Sequence, residues 1–148
     1  MILEHLAGYK GNDRARRANV IHGDPVFTNI LLSKSNSIKM IDMRGCLGDG
    51  DILTLKGDAV YDLGKVYQSI TGYDFLLHHD EISGRDCIFL ENLEEHFWAF
   101  VSEHYPTVRH DDVKMITASL YFSLIPLHAK SKRHLFFEQC RKIIDSRQ

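Results

Sequence analysis

Apolar positions change period along the chain, and the change divides it. From Asp58 onward they recur at helical spacing: Val60, Leu63, Tyr67 and Ile70 fall on one face, and Phe89, Leu93, Phe97 and Phe100 form a second stripe. This pattern predicts three or four helices after residue 58. Asp111 and Asp112 stand where acidic side chains favour a helix start, and that helix runs through Ile116, Leu120 and Ser123 to a break or kink near Pro126. A last helix from about Ser131 turns Leu135, Phe136, Cys140, Ile143 and Ile144 inward. The Met, Phe and Tyr residues on these faces read as core.

The first third follows other rules. Met1 to Ala18 reads as one or two short helices interrupted by Gly8, Gly11 and Asn12, followed by a small apolar entry strand at Val20 and Ile21. Asn29 to Leu32 and Ile38 to Ile41 are short apolar runs on either side of Ser33-Lys34-Ser35-Asn36-Ser37, a link with the composition and length of a hairpin turn. Gly45 to Gly57, rich in glycine and aspartate and without periodicity, reads as an irregular loop. The expected organisation is one domain over 1–148: leading helices in 1–19, loop and hairpin in 20–57, and a helical bundle in 58–148. The fold class is mostly α with a small β-hairpin, an α+β arrangement.

Bulk properties narrow the function classes. The chain has 148 residues, a formal charge of -2 and 26% charged residues, which leaves no electrostatic footprint for nucleic acid. Arg14, Arg16 and Arg17 form the one basic cluster and, beside Asp13, read as a solvated face. Cys46, Cys87 and Cys140 are odd in number and far apart, so they make neither a disulfide framework nor a zinc knuckle, and a reducing, cytoplasmic setting fits. Leu120 to Leu127 is broken by Ser123 and Pro126 and is too short to span a bilayer, and the amino terminus lacks the layout of a signal peptide.

The chemistry is concentrated between residues 22 and 44. His22-Gly23-Asp24-Pro25-Val26-Phe27-Thr28-Asn29 has the form H-G-D-x-x-x-x-N, and Asp42 follows Asn29 by thirteen residues in Met40-Ile41-Asp42-Met43-Arg44-Gly45. A hairpin between them returns the chain so that Asn29 and Asp42 lie on the same side. Together the two segments resemble the catalytic loop and metal-binding segment of the aminoglycoside phosphotransferase and choline kinase family, distant relatives of protein kinases. Asp58-Ala59-Val60-Tyr61-Asp62-Leu63-Gly64-Lys65 extends the likeness, being similar to the D-x-x-Y-D-L-x-K helix start of members associated with capsule and surface-polysaccharide gene clusters.

The resemblance implies a small-molecule kinase. Phosphoryl transfer needs an acceptor hydroxyl held in line and phosphate charge neutralised, usually by Mg²⁺, and little covalent help from protein. Carried over by position, Asp24 is the catalytic base, Asn29 and Asp42 are Mg²⁺ ligands, and ATP or GTP is the phosphoryl donor. His22 and Gly23 hold the loop, the histidine by a buried hydrogen bond to backbone and the glycine by permitting a tight turn. Arg44 has two readings, contact with phosphate or acceptor and a structural salt bridge. Asp62 also has two, a helix amino-terminal charge and a site role. Met43 and Arg44 follow Asp42 where protein kinases have Phe and Gly, which argues against a protein kinase. The acceptor class is a sugar, amino alcohol or polysaccharide precursor.

Only the carboxy-terminal lobe of a protein-kinase-like fold is matched. No G-x-G-x-x-G or strand lysine of the V-A-I-K type occurs, so an amino-terminal lobe is expected to be absent from these residues. The chain is then a fragment of a longer product, one half of an enzyme completed by a missing lobe polypeptide, or a relic. The alternative function is a non-catalytic binding or interaction module, with a homodimer as one form. His78-His79-Asp80-Glu81 and the scattered histidines His96, His104, His110, His128 and His134 lack ligand spacing on a common face and read as structural.

Overall fold

The computed structural model describes residues 1–47, 53–79 and 81–146. Helix α1 (Ile2–Gly11) is a single helix that runs through Gly8 and stops at Asn12, whose side-chain amide donates to the Gly8 carbonyl at 2.7 Å. Strand β1 (Arg17–Ala18) follows. The expected strand at Val20 and Ile21 is absent: Val20 is exposed, Ile21 is buried, and a lone bond from Ile21 N–H to the Leu55 carbonyl is not continued into a ladder. A short 3₁₀ turn (Phe27–Asn29) leads into β2 (Ile30–Leu32), which pairs antiparallel with β3 (Ile38–Met40) in the register Ile30 opposite Met40. This is the hairpin read from the sequence.

Gly45 to Gly57 is less irregular than its composition suggests. It contains β4 (Cys46–Leu47), paired antiparallel with β5 (Leu53–Thr54), and the first residue of β6 (Gly57–Asp58), which pairs with β1. Residues 48–52 of the expected loop, and Asp80 of the histidine-rich run, lie outside the described residues.

Among the described residues five α-helices follow rather than three or four: α2 (Ala59–Ile70), α3 (Tyr73–His79), α4 (Gly84–His104), α5 (His110–Leu124) and α6 (Arg133–Asp145). Asp58 caps α2, its carboxylate accepting from Val60 N–H at 3.0 Å. Val60, Leu63, Tyr67 and Ile70 are all buried, each contributing about 1.5–3 kcal/mol by leaving water. The helix crosses α5 closely because Gly64 carries no side chain: a Cβ there would meet Ile116 at 2.8 Å, and Thr117 Oγ1 donates to the Gly64 carbonyl at 2.9 Å. With α5 so placed, α2 is fixed along its length.

Two expectations shift in the bundle. The buried stripe of α4 is Leu90, Phe97 and Val101, with Leu93 partly buried, whereas Phe89 and Phe100 are 57% and 46% exposed. A three-to-four spacing drifts around a helix this long, and packing selects the phase near its middle. Arg14 does not share the solvated face of Arg16 and Arg17, because Asp112 is buried on α5 and draws both His5 Nε2 (2.7 Å) and Arg14 Nη2 (3.3 Å) onto its Oδ1. That cluster ties α1 to α5. No helix among the described residues is long and apolar enough to cross a membrane.

Candidate active site

The loop from His22 to Val26 is buried throughout, although it has no regular secondary structure. Irregular buried backbone must find hydrogen-bond partners elsewhere, and much of that demand is met by one helix. Asp62, in the first turn of α2, accepts from the backbone N–H of His22 (2.7 Å) and of Gly23 (2.9 Å). One turn on, Lys65 Nζ sits 3.0 Å from Asp24 Oδ1. Ser69, fully buried, accepts from Phe27 N–H at 2.9 Å. These three positions share a helix face opposite the apolar stripe, so α2 rests on the core with one side and carries the loop on the other. Asp74 on α3 extends the support, accepting from Thr28 N–H at 3.2 Å.

Within the loop the residues hold one another. His22 is 5% exposed, and its Nδ1 accepts from Asp24 N–H at 3.2 Å. The His22 carbonyl accepts from both Arg44 N–H (2.8 Å) and Gly45 N–H (3.0 Å), which draws the segment after β3 against the loop. Gly23 is required at that contact. It adopts φ +83, and a Cβ would lie 2.2 Å from the Gly45 carbonyl oxygen.

The sequence-marked residues are gathered in one place. Asn29 Nδ2 donates to the Asp24 carbonyl at 2.9 Å, which fixes the amide and leaves its oxygen, a lone-pair acceptor, to face a cation or a donor group. Ile41 N–H donates to the Asn29 carbonyl at 3.0 Å, so Asp42 begins where the hairpin ladder ends beside Asn29. Asp42 has φ +56, a left-handed conformation that aspartate tolerates better than most residues, and its side chain is 56% exposed. The Arg44 guanidinium spans the carboxylates, with Nη2 3.1 Å from Asp42 Oδ2 and Nε 3.4 Å from Asp24 Oδ2. The hydrogen bond to Asp42 and the charge of Asp24 raise the Arg44 pKa above its ordinary value. Tyr73, at the start of α3, is also pushed up, first by burial and then by the charges of Asp74 and Asp24.

Chemically, the site offers two carboxylates and one amide oxygen, balanced by Lys65 and Arg44. Among the described residues no group of three or more His, Cys, Asp and Glu side chains is arranged to hold a metal, so any ion here would be held by this smaller set of hard oxygens. Lys65 carried no assigned role in the sequence, and Asp62 was open between two. The signal that marks them is the spacing of Asp62, Lys65 and Ser69, a polar stripe at helical period that the loop covers. Comparison of the chain with protein-family models, with curated proteins and with solved structures returns no match.

Proposed function

We propose that this chain is the catalytic lobe of a phosphotransferase of protein-kinase-like fold that moves the γ-phosphoryl group of ATP or GTP to a hydroxyl of a small molecule. The observation that carries the reading is the meeting of Asp24 and Asp42 on one guanidinium, Arg44 Nε lying 3.4 Å from an oxygen of each, with Asn29 tied to the Asp24 backbone. A single positive group already spans both carboxylates, and the oxygens are of the hard type that Mg²⁺ takes, so the residues fit that ion.

In this reading Asn29 and Asp42 hold Mg²⁺, which when bound neutralises the phosphates of the nucleotide. Asp24, at the buried end of the loop, orients the acceptor hydroxyl and receives its proton at Oδ2, whose contact with the exposed Arg44 at 3.4 Å is longer than that of Oδ1 with the partly buried Lys65 at 3.0 Å. The loop contacts of Asp62, Ser69 and His22 keep that carboxylate from drifting, and position is most of what such a reaction asks of protein. The acceptor class is a sugar, amino alcohol or surface-polysaccharide precursor, and the setting is cytoplasmic.

A second reading, a non-catalytic interaction module or relic, draws on the apolar exposure around the hairpin: Leu32, Ile38, Met40 and Met43 are each half-exposed or more. Transfer or hydrolysis of γ-labelled ATP and GTP with Mg²⁺ separates the two, measured for the chain beside Asp24→Ala and Asp42→Ala. Turnover lost in both variants supports the phosphotransferase. Equal background in all three proteins sinks it and leaves the module.

A further inference from the structure

Asp24 has two cationic neighbours, and they are not equivalent. Lys65 Nζ lies 3.0 Å from Oδ1, and its side chain is only 14% exposed. Arg44 reaches Oδ2 at 3.4 Å and Asp42 Oδ2 at 3.1 Å with a side chain that is 64% exposed. An ion from solvent can reach Asp42, itself 56% exposed, but Asp42 Oδ2 and Asp24 Oδ2 are both already in contact with the guanidinium. Lys65, on the far side of Asp24, is out of its way.

We propose that Arg44 is the exchange partner of the divalent cation: its guanidinium bridges Asp24 and Asp42 until the ion arrives, and must leave Asp42 before the ion can coordinate there. This rests on the metal-binding role given to Asp42 above. A guanidinium and a divalent ion repel one another and compete for the same oxygen lone pairs, so the two do not share Asp42 Oδ2. Bridging also holds the carboxylates close when they would otherwise push apart. The backbone of residue 44 is fixed by its N–H bond to the His22 carbonyl, so displacement is a side-chain swing. The released guanidinium stays beside the site, where its planar fork suits a phosphate oxygen pair.

The consequence is that Arg44 weakens the bare chain's hold on the metal ion, although an arginine in a phosphate site would ordinarily be expected to assist it. Titration with Mn²⁺ alone, followed by the electron paramagnetic resonance signal of the free ion, reads this without any turnover. Arg44→Gln is expected to bind Mn²⁺ about two- to fivefold more tightly than the unaltered chain, within the range that an exposed ion pair commands, while Asp42→Asn loses binding. Arg44→Lys, which keeps the charge without the fork, falls between, and circular dichroism checks that each variant is folded. If Arg44→Gln binds Mn²⁺ no better than the unaltered chain while Asp42→Asn still abolishes binding, exchange is wrong and the metal centre stands. If neither the unaltered chain nor Arg44→Gln takes up Mn²⁺, the metal centre falls and the exchange with it.

Discussion

Lys65 Nζ lies 3.0 Å from Asp24 Oδ1, and the two side chains are 14% and 10% exposed. An ion pair so far withdrawn from water is costly to halve, because the remaining charge keeps its desolvation without its partner. Lys65→Met is therefore expected to lower stability by about 3 kcal/mol. Adding Asp24→Leu to that variant removes the stranded carboxylate and recovers part of the loss. Urea denaturation of the two variants gives the comparison, and a double variant less stable than Lys65→Met would mean that the pair is not what holds this part of the loop.

Gly23 tests the close approach of loop and hairpin exit. Its φ of +83 and the 2.2 Å separation between a built Cβ and the Gly45 carbonyl leave alanine no place. The backbone conformation alone costs a side-chain-bearing residue about 1–3 kcal/mol, and the clash is with main chain, which cannot turn aside. Gly23→Ala should therefore shift the thermal midpoint well below that of Gly11→Ala. At Gly11, the last residue of α1, nothing lies within 4 Å of an added Cβ, and the change should be neutral or stabilise by about 0.5 kcal/mol. Similar midpoints for the two variants would refute the packing described for residue 23.

Asp62 accepts two backbone N–H bonds from the loop, and hydrogen bonds to a charged group each contribute about 1.5–3 kcal/mol. Asp62→Ala is expected to destabilise by about 3 kcal/mol or more and to loosen the loop selectively. Amide hydrogen exchange is the direct measure. Protection should fall in the segment containing His22 and Gly23 while the centre of α5, around Ile116 to Ala118, keeps its relative protection. Uniform loss across both regions would indicate a general destabilisation and no special hold on the loop.

These contacts explain what the sequence made legible. The hairpin was visible because two apolar runs flank a serine-rich turn, and α2 because Val60, Leu63, Tyr67 and Ile70 keep one face. Asn29 and Asp42 are legible as neighbours because a hairpin brings its two ends together, whereas grouping Asp24 with them rests on the resemblance of H-G-D-x-x-x-x-N to a family motif. Lys65 stands in the D-x-x-Y-D-L-x-K segment without a role, because only the tertiary fold shows that a buried loop lies across that side of α2 and brings Asp24 to it. Arg14 reads as solvated from its local sequence, since nothing local announces that Asp112 is buried and in need of cations. In α4 the spacing admitted several phases, and packing chose Leu90, Phe97 and Val101.

His128 gives the chain a pH dependence of predictable sign. Its ring lies against Phe136, centroids 4.7 Å apart, and its pKa is lowered from 6.5, first by burial and then by the positive charge of Lys132. That charge is held in place, because Lys132 Nζ donates to the carbonyls of Leu76 and Leu77 at the end of α3. In the folded chain the imidazole resists protonation, whereas in the unfolded chain it takes a proton near its ordinary value. The unfolded state therefore binds more protons between the two pKa values. The contribution of His128 to stability is present above 6.5 and is lost as pH falls toward the lowered folded value. His128→Phe keeps an aromatic ring against Phe136 and removes the titration. Urea midpoints measured through this range should fall more steeply on acidification for the unaltered chain than for His128→Phe, and parallel curves would show that the histidine titrates alike in both states.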